Sequence, residues 1–193
     1  MDKRDQLLAL LDMYQPTAEE SQFKKDMIAF IEAHLDCFER SLEIGHITAS
    51  AWLVDKNNTH ALLMYHAKLE RWFQLGGHCD GEPDTEAVAI KEAQEESGIQ
   101  SIERFDSNEL RNKNGLVGPF IFDIDIHRIP EYKGIPAHDH YDVRFLLRVT
   151  SDEKVIQNSE SKELRWISKD STTLPTKERS VARMFEKWVA KDC

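Results

Sequence analysis

The most informative stretch of the chain is residues 91–99, which read Lys-Glu-Ala-Gln-Glu-Glu-Ser-Gly-Ile. On a helix, Glu92, Glu95 and Glu96 stand at positions i, i+3 and i+4, so three carboxylates share one face with Cβ atoms roughly 5 to 6 Å apart. Each like-charge pair destabilises a helix by about 0.2–0.5 kcal/mol, and the helix dipole disfavours negative charge in the last turns. A divalent cation would reverse both effects, and the alternative is a solvated acidic helix face.

The residues around this stretch predict a helix from about Thr85 to Ser97, stopped by Gly98. A glycine suits the left-handed backbone position that follows a helix end. Ala87, Ile90 and Ala93 are small or apolar and lie opposite the glutamates. We therefore expect this apolar face to pack against a sheet and the acidic face to remain accessible.

The spacing continues upstream and resembles the signature of the Nudix hydrolase family, Gx5Ex7REUxEExGU, in which U is an apolar residue. Gly77 falls on the first glycine of the signature, Gly76 comes just before it, and the full length is preserved. The other matching positions are Glu92, Ala93, Glu95, Glu96, Gly98 and Ile99. The chain is therefore identified as a member of this family, and the resemblance covers roughly residues 48–188.

Two positions depart from the signature. Pro83 stands where the first glutamate is expected, although the adjacent Glu82 can serve with a one-residue shift. Lys91 replaces the arginine, which keeps the positive charge but loses bidentate hydrogen bonding. Neither departure removes the carboxylates that a metal ion needs.

The resemblance implies an α/β protein with the Nudix-type α/β/α sandwich and a mixed sheet, acting as a Mg2+-dependent hydrolase in which Mn2+ can substitute. It implies that Glu92, Glu95 and Glu96 are catalytic, with Glu92 taking a proton from the attacking water. Glu160, six residues before Trp166, resembles a loop glutamate that many family members add to the metal site; the alternative is a surface acid. The implied metal ligands are the Gly76 carbonyl, Glu92, Glu95, Glu96 and Glu160.

A second group of polar side chains alternates along two predicted strands. His138, His140 and Asp142 lie at the entry to one strand and should emerge on one face of it. The preceding strand repeats the pattern with Asp123, Asp125 and His127. Paired strands would bring these groups together to bind a second metal or a substrate phosphate, or they would form the wet face of an antiparallel sheet. We predict that His78, His138, His140 and Asp142 bind substrate.

The first 45 residues differ from the rest and predict an N-terminal helical extension. A short apolar run is interrupted by Pro16, and a capping box of Thr17 and Glu20 opens a second helix with a stripe that includes Phe30 and Leu35. We expect a helical hairpin over residues 1–45 that packs on the main domain or on a second subunit. Residues 46–193 then form the Nudix hydrolase domain.

The composition of the chain limits the kinds of molecule that it can bind. The 193 residues carry 35 acidic and 25 basic side chains, a formal charge of −10, which opposes binding to long nucleic acid or to an anionic membrane surface. The three cysteines are widely spaced and predict free thiols. No signal pattern or spanning segment is present, so a cytoplasmic location is the expectation.

The function that these features predict is cleavage of a diphosphate bond in a small, nucleoside diphosphate-linked or related substrate. One alternative is an isopentenyl-diphosphate isomerase-like enzyme, for which Cys79 would be the cysteine. Another is a non-catalytic nucleotide-sensing module, although such proteins usually lose the glutamates retained here. The identity of the substrate and the oligomeric state stay open, with a homodimer as one option.

Overall fold

The computed structural model describes residues 2–105, 121–132, 134–151, 154–159 and 161–191. Within these ranges the chain forms four helices and eight strands. In chain order they are α1 (Asp5–Met13), α2 (Ser21–Ala33), β1 (Gly45–Val54), β2 (His60–His66), β3 (Trp72–Phe73), β4 (Leu75–His78), α3 (Thr85–Ser97), β5 (Ile102–Arg104), β6 (Asp123–Ile129), β7 (His138–Val149), β8 (Ser161–Ser168) and α4 (Arg179–Ala190).

The strands of the described residues belong to one sheet. Its central order is β3-β2-β1-β7-β5, with β4 paired to β1, β6 paired to β7 and β8 paired to β2. Strand β1 is buried along its whole length, and this includes the polar residues His46, Thr48 and Ser50. The predicted α/β class, a mixed sheet with helices, is confirmed. No helix of the described chain is long and apolar enough to cross a membrane.

The chain divides into two compact units. The first consists of Met1–Ala49, Gly77–Val88 and Asp106–Phe145. In it, α1 packs against α2 and α2 packs against β6. The Phe30 ring of α2 stacks on Tyr141 of β7, with centroids 3.9 Å apart. Helix α2 therefore packs on strands of its own chain, and α1 packs on α2.

The second unit consists of Ser50–Gly76, Ala89–Phe105 and Leu146–Cys193. Its core holds two fully buried indoles, Trp52 of β1 and Trp188 of α4, whose ring centroids are 6.1 Å apart. The indole N–H of Trp188 donates to the Asn58 side chain at 2.7 Å, so its polar atom is satisfied. Trp72 is also buried, and the Arg165 guanidinium lies over its ring, which agrees with a core residue better than with a base-stacking one.

Two details of the predicted packing are wrong. Leu35 does not join the buried stripe of α2, because the helix ends at Ala33 and the Leu35 side chain is 77% exposed. On α3 the buried apolar residues are Val88, Ala89 and Ala93, whereas Ala87 is exposed. The buried face of α3 therefore lies closer to the glutamates than the sequence predicted, and Glu96 is part of it.

Candidate active site and histidine cluster

Helix α3 begins and ends where its sequence demands. The Asp84 carboxylate accepts a hydrogen bond from the backbone N–H of Ala87 at 3.1 Å, which caps the first turn. Gly98 adopts φ +75°, and its N–H donates to the Gln94 carbonyl at 2.9 Å. These two signals place the glutamates in the last two turns of the helix.

The three glutamates have different environments, although they follow one another on the same helix. Glu96 is only 3% exposed, and its Oε2 accepts a hydrogen bond from the backbone N–H of Gly76 at 2.9 Å. The Glu92 side chain is 17% exposed and the Glu95 side chain is 58% exposed. The site therefore combines one carboxylate fixed by the backbone with two that can adjust to a ligand.

A positive charge already lies beside two of these carboxylates. The Lys91 ammonium is 3.3 Å from Glu92 and 3.4 Å from Glu95. The hydrogen bond and charge of Glu92, with a smaller effect of Glu95, raise the pKa of Lys91. Carboxylate oxygens are the donors that Mg2+ prefers, so this donor set fits a hard divalent cation in place of the ammonium.

The other predicted ligands are less well defined. Glu160 lies outside the described residues, so its role stays a prediction. Nearby, the Asn158 side-chain amide donates to the backbone carbonyl of Glu95 at 3.1 Å. Glu82 precedes Pro83 in the chain. Its carboxylate accepts a hydrogen bond from the Asp84 backbone N–H at 3.0 Å, just before the start of α3.

Strands β6 and β7 pair in the register that joins the two predicted polar rows. His127 faces His140, Asp125 faces Asp142, and Asp123 faces Arg144. The acidic half of this face is not wet. Arg144 is buried and its guanidinium contacts the carboxylates of Asp142, Asp123 and Asp125 at 2.7, 3.0 and 3.3 Å.

Asp142 is held on both sides of its carboxylate. One oxygen accepts from Arg144, and the other accepts from the Thr48 hydroxyl at 2.9 Å. Burial alone would lower the pKa of Arg144, but the three carboxylates outweigh it and raise that pKa. These contacts position Asp142 in the structure, and its predicted part in substrate binding stays a prediction.

Five of the eight histidines of the chain gather at the other end of this face. His140 is the centre of the group, with ring centroids 4.8 to 5.3 Å from those of His46, His78, His127 and His138. The structure brings His78, His138 and His140 together, as the sequence analysis anticipated. It adds His46, which sequence reasoning missed because only the pairing of β1 in the fold places it beside β7.

The pKa values of His46 and His140 are both lowered, which favours the neutral form of these two rings at physiological pH. Burial, followed by the charges of His78 and His138, lowers the pKa of His46 to about 4. Burial, followed by the neighbouring histidines, lowers the pKa of His140 to about 2. Each neutral ring offers one nitrogen lone pair.

Comparison with known proteins fixes the family. The model of the NUDIX domain matches residues 45–189, well over half of the chain. The chain belongs to the Nudix hydrolase family. A search of curated proteins gave no match.

Solved structures show the same fold. A NUDIX-family hydrolase from Clostridium perfringens is 26% identical, with a TM-score of 0.51, over 74% of this chain and 95% of that chain. An Ap4A hydrolase from C. elegans, in a binary complex, is 16% identical with a TM-score of 0.54, over 75% of this chain and 95% of that one. The dihydroneopterin triphosphate pyrophosphohydrolase of E. coli is 12% identical with a TM-score of 0.52, over 75% of this chain and 94% of that one.

Proposed function

We propose that this protein uses the carboxylates of α3 and Mg2+ to hydrolyse the diphosphate bond of a small, nucleoside diphosphate-linked substrate. The observation that carries the proposal is the acidic face of α3, where Glu96 is fixed by the Gly76 backbone beside Glu92 and Glu95. The similar structures of an Ap4A hydrolase and a dihydroneopterin triphosphate pyrophosphohydrolase support a phosphorylated nucleoside or a related substrate.

The metal ligands in this proposal are the predicted ones: the Gly76 carbonyl, Glu92, Glu95, Glu96 and Glu160. Bound Mg2+ would supply positive charge against the diphosphate oxygens and increase the acidity of a water molecule. Mn2+ has the same preference for oxygen donors and should replace it. Lys91 would release its contacts with Glu92 and Glu95 when the cation arrives.

The protein's own groups carry out the remaining steps. Glu92 accepts the proton of the attacking water, the new P–O bond forms at one phosphorus, and the bond to the bridging oxygen breaks. Two phosphate-bearing fragments leave. Glu96 keeps its orientation through the Gly76 N–H, so the carboxylate does not have to be ordered during the reaction.

The environment of Cys79 does not support the alternative of an isopentenyl-diphosphate isomerase-like enzyme. Cys79 is only 3% exposed, and burial raises the pKa of its thiol well above the ordinary value. A thiol in this environment is neither accessible nor ionised at neutral pH. The cytoplasmic location and the homodimer remain predictions from the sequence.

A substrate screen tests the proposal. Nucleoside triphosphates, nucleotide sugars, ADP-ribose, NADH and dinucleoside polyphosphates would each be incubated with the protein, and phosphorus-containing products would be separated and quantified. We expect cleavage of at least one of them with Mg2+ or Mn2+ and none in EDTA. Cleavage that persists unchanged in EDTA, or in the Glu95→Gln variant, would show that the α3 carboxylates are not the metal site.

A further inference from the structure

His46 is a buried polar side chain, and the fold alone does not explain why a polar residue lies at this position. It is 3% exposed, and neither Nδ1 nor Nε2 has a hydrogen-bond partner among the residues that the structure describes. The Leu42 backbone raises the His46 pKa slightly but does not reach hydrogen-bond geometry. A buried polar group without a partner destabilises a protein by roughly 1–3 kcal/mol, and a bound ion is one recognised cause of its retention.

The neighbours of His46 provide the rest of a donor set. One ring nitrogen from each of His46, His78 and His140 lies within 4.8 Å of the others. The three residues come from the start of β1, the end of β4 and the start of β7, all in the first compact unit. A cation between these nitrogens would accept one lone pair from each ring.

We propose that His46, His78 and His140 bind one divalent transition-metal ion of the Zn2+ type, at a site that uses none of the signature glutamates. Imidazole nitrogen suits Zn2+, Ni2+ and Cu2+, whereas Mg2+ prefers oxygen donors. Zn–N bonds of about 2.0–2.1 Å place tetrahedral ligands roughly 3.4 Å apart. Binding therefore requires the three nitrogens to close in by roughly an ångström, which ring rotation can supply.

His138 positions one of these ligands. Its Nδ1 lies 2.8 Å from the Pro136 carbonyl, which can only accept, so Nδ1 donates and Nε2 is the ring nitrogen that can accept from a neighbour. That Nε2 lies 3.3 Å from Nε2 of His140. His140 then donates through Nε2 and keeps its Nδ1 lone pair for the metal, the arrangement usual for metal-ligating histidines.

Three protein ligands leave a tetrahedral ion with one open position. Such positions bind water or an anionic oxygen of a ligand, and structural zinc sites with four protein ligands lack them. The three-histidine site, meaning His46, His78 and His140, is therefore of the kind that takes part in ligand binding or chemistry. Its donor set differs from that of α3, so the two kinds of site should differ in metal preference.

The test is direct metal binding to the full-length protein after chelation. Calorimetry with Zn2+ in the presence of millimolar Mg2+ should show one tight site per chain, and Co2+ should give the visible absorption of a four-coordinate nitrogen site. His78→Ala should weaken Zn2+ binding by about 100-fold or more. His60→Ala, a histidine outside the cluster, and Glu95→Gln should leave Zn2+ affinity unchanged.

His46→Leu gives a second readout that does not depend on catalysis. In EDTA this variant should melt at or above the wild-type temperature, because an unsatisfied polar group has been replaced by an apolar one. With Zn2+ present it should lose the rise in melting temperature that the wild type shows. If it does not fold, His78→Ala carries the test.

Three results would overturn the proposal. One is a wild-type protein without a stoichiometric Zn2+ site, and the second is a site that survives both His46→Leu and His78→Ala. The third is Zn2+ binding that is lost in Glu95→Gln, which would assign the ion to α3. Failure of the diphosphate-hydrolase proposal would appear in the substrate screen and would leave these measurements unaffected.

Discussion

Glu95 and Glu96 are adjacent in the sequence but differ in what holds them. Glu96 is buried, and its carboxylate is fixed by a backbone N–H. Glu95 is exposed, and its carboxylate lies beside the Lys91 ammonium. An exposed i, i+4 pair stabilises a helix by about 0.3–0.5 kcal/mol, close to what like-charge repulsion on the same face removes. The Glu95 carboxylate is therefore not required for folding by the local energetics of the helix.

Replacing either carboxylate by its amide should separate catalysis from stability. We expect Glu95→Gln and Glu96→Gln each to lower kcat by about 10^2-fold or more, through loss of charge at the metal site. Glu95→Gln should leave the melting temperature nearly unchanged, whereas Glu96→Gln should lower it modestly, because it weakens the hydrogen bond from the Gly76 N–H. Steady-state kinetics on the substrate found by the screen measures the first effect, and thermal unfolding in EDTA measures the second. The matched control is Glu186→Gln on α4, whose side chain is 59% exposed, as Glu95 is at 58%. Equal kcat values in the wild type and all three variants would contradict the assignment.

The placement of Glu92, Glu95 and Glu96 on one helix could be predicted from the sequence because their spacing is local information. His46 could not, since its partners lie 32, 92 and 94 positions later and come together only through strand pairing. The buried position of Glu96 was also missed. Helical periodicity gives the direction of a side chain but not which neighbouring segment covers it.

The glycine that follows helix α3, Gly98, is required there for two separate reasons. Gly98 has a left-handed backbone, and a Cβ added there would lie 2.6 Å from the Cβ of Ile156. Gly134 has a similar φ of +81°, but no heavy atom of the described chain lies within 4 Å of its added Cβ. Comparing substitutions at Gly98 and Gly134 therefore separates the cost of backbone strain from the cost of a steric clash.

Gly134→Ala should therefore destabilise by about 1 kcal/mol, the approximate cost of placing an L-residue in the left-handed region. Gly98→Ala should cost more, on the order of 2–3 kcal/mol, since the Ile156 backbone and Cβ must also shift. Urea unfolding of the two variants measures the difference. In an Ile156→Gly background, which removes the opposing Cβ, the two alanine substitutions should have similar effects. A Gly98→Ala cost no larger than that of Gly134→Ala would refute the steric part.

Strands β6 and β7 depend on Arg144 to hold three carboxylates together. All four side chains are buried, so removing the guanidinium leaves negative charges without a partner in a poorly solvated place. The sequence predicted the pairing of these strands and the alternation along them. It did not predict that the acidic half would be buried, because the alternating pattern does not show that Arg144 pairs with all three carboxylates.

Arg144→Met should lower the free energy of unfolding by about 3–5 kcal/mol, the range found when one partner of a buried ion pair is removed. Arg148→Met, on the same strand, is the control: its contact with Glu103 at 3.0 Å is exposed and should contribute about 1 kcal/mol or less. Chemical denaturation of both variants tests this. Comparable losses would mean that the Arg144 network contributes no more than a surface ion pair.

The N-terminal helices bear on how the whole chain should be divided. The predicted boundary after residue 45 treats them as an extension, whereas Glu20 at the start of α2 links them to the strands. Its buried carboxylate accepts from the Tyr14 hydroxyl at 2.5 Å and the Thr17 hydroxyl at 2.7 Å. It also accepts from the backbone N–H of Ile124 in β6 at 3.2 Å. Glu20 thus forms a hydrogen bond that joins the start of α2 to the backbone of β6.

A chain truncated to residues 46–193 should consequently be much less stable than the full-length protein, or should fail to fold. Removing α2 exposes the apolar surface that it covers on β6 and Tyr141, and removes the hydrogen bond between Glu20 and the Ile124 N–H. Melting temperature and urea unfolding of the truncated chain measure the loss, and Glu20→Gln in the full-length protein isolates the contribution of the charge-assisted hydrogen bonds, about 1–3 kcal/mol. A truncated chain that melts at the full-length temperature and keeps its hydrolase activity would establish residues 1–45 as an independent extension. Loss of folding would instead make α1 and α2 an integral part of the unit that contains the histidine cluster.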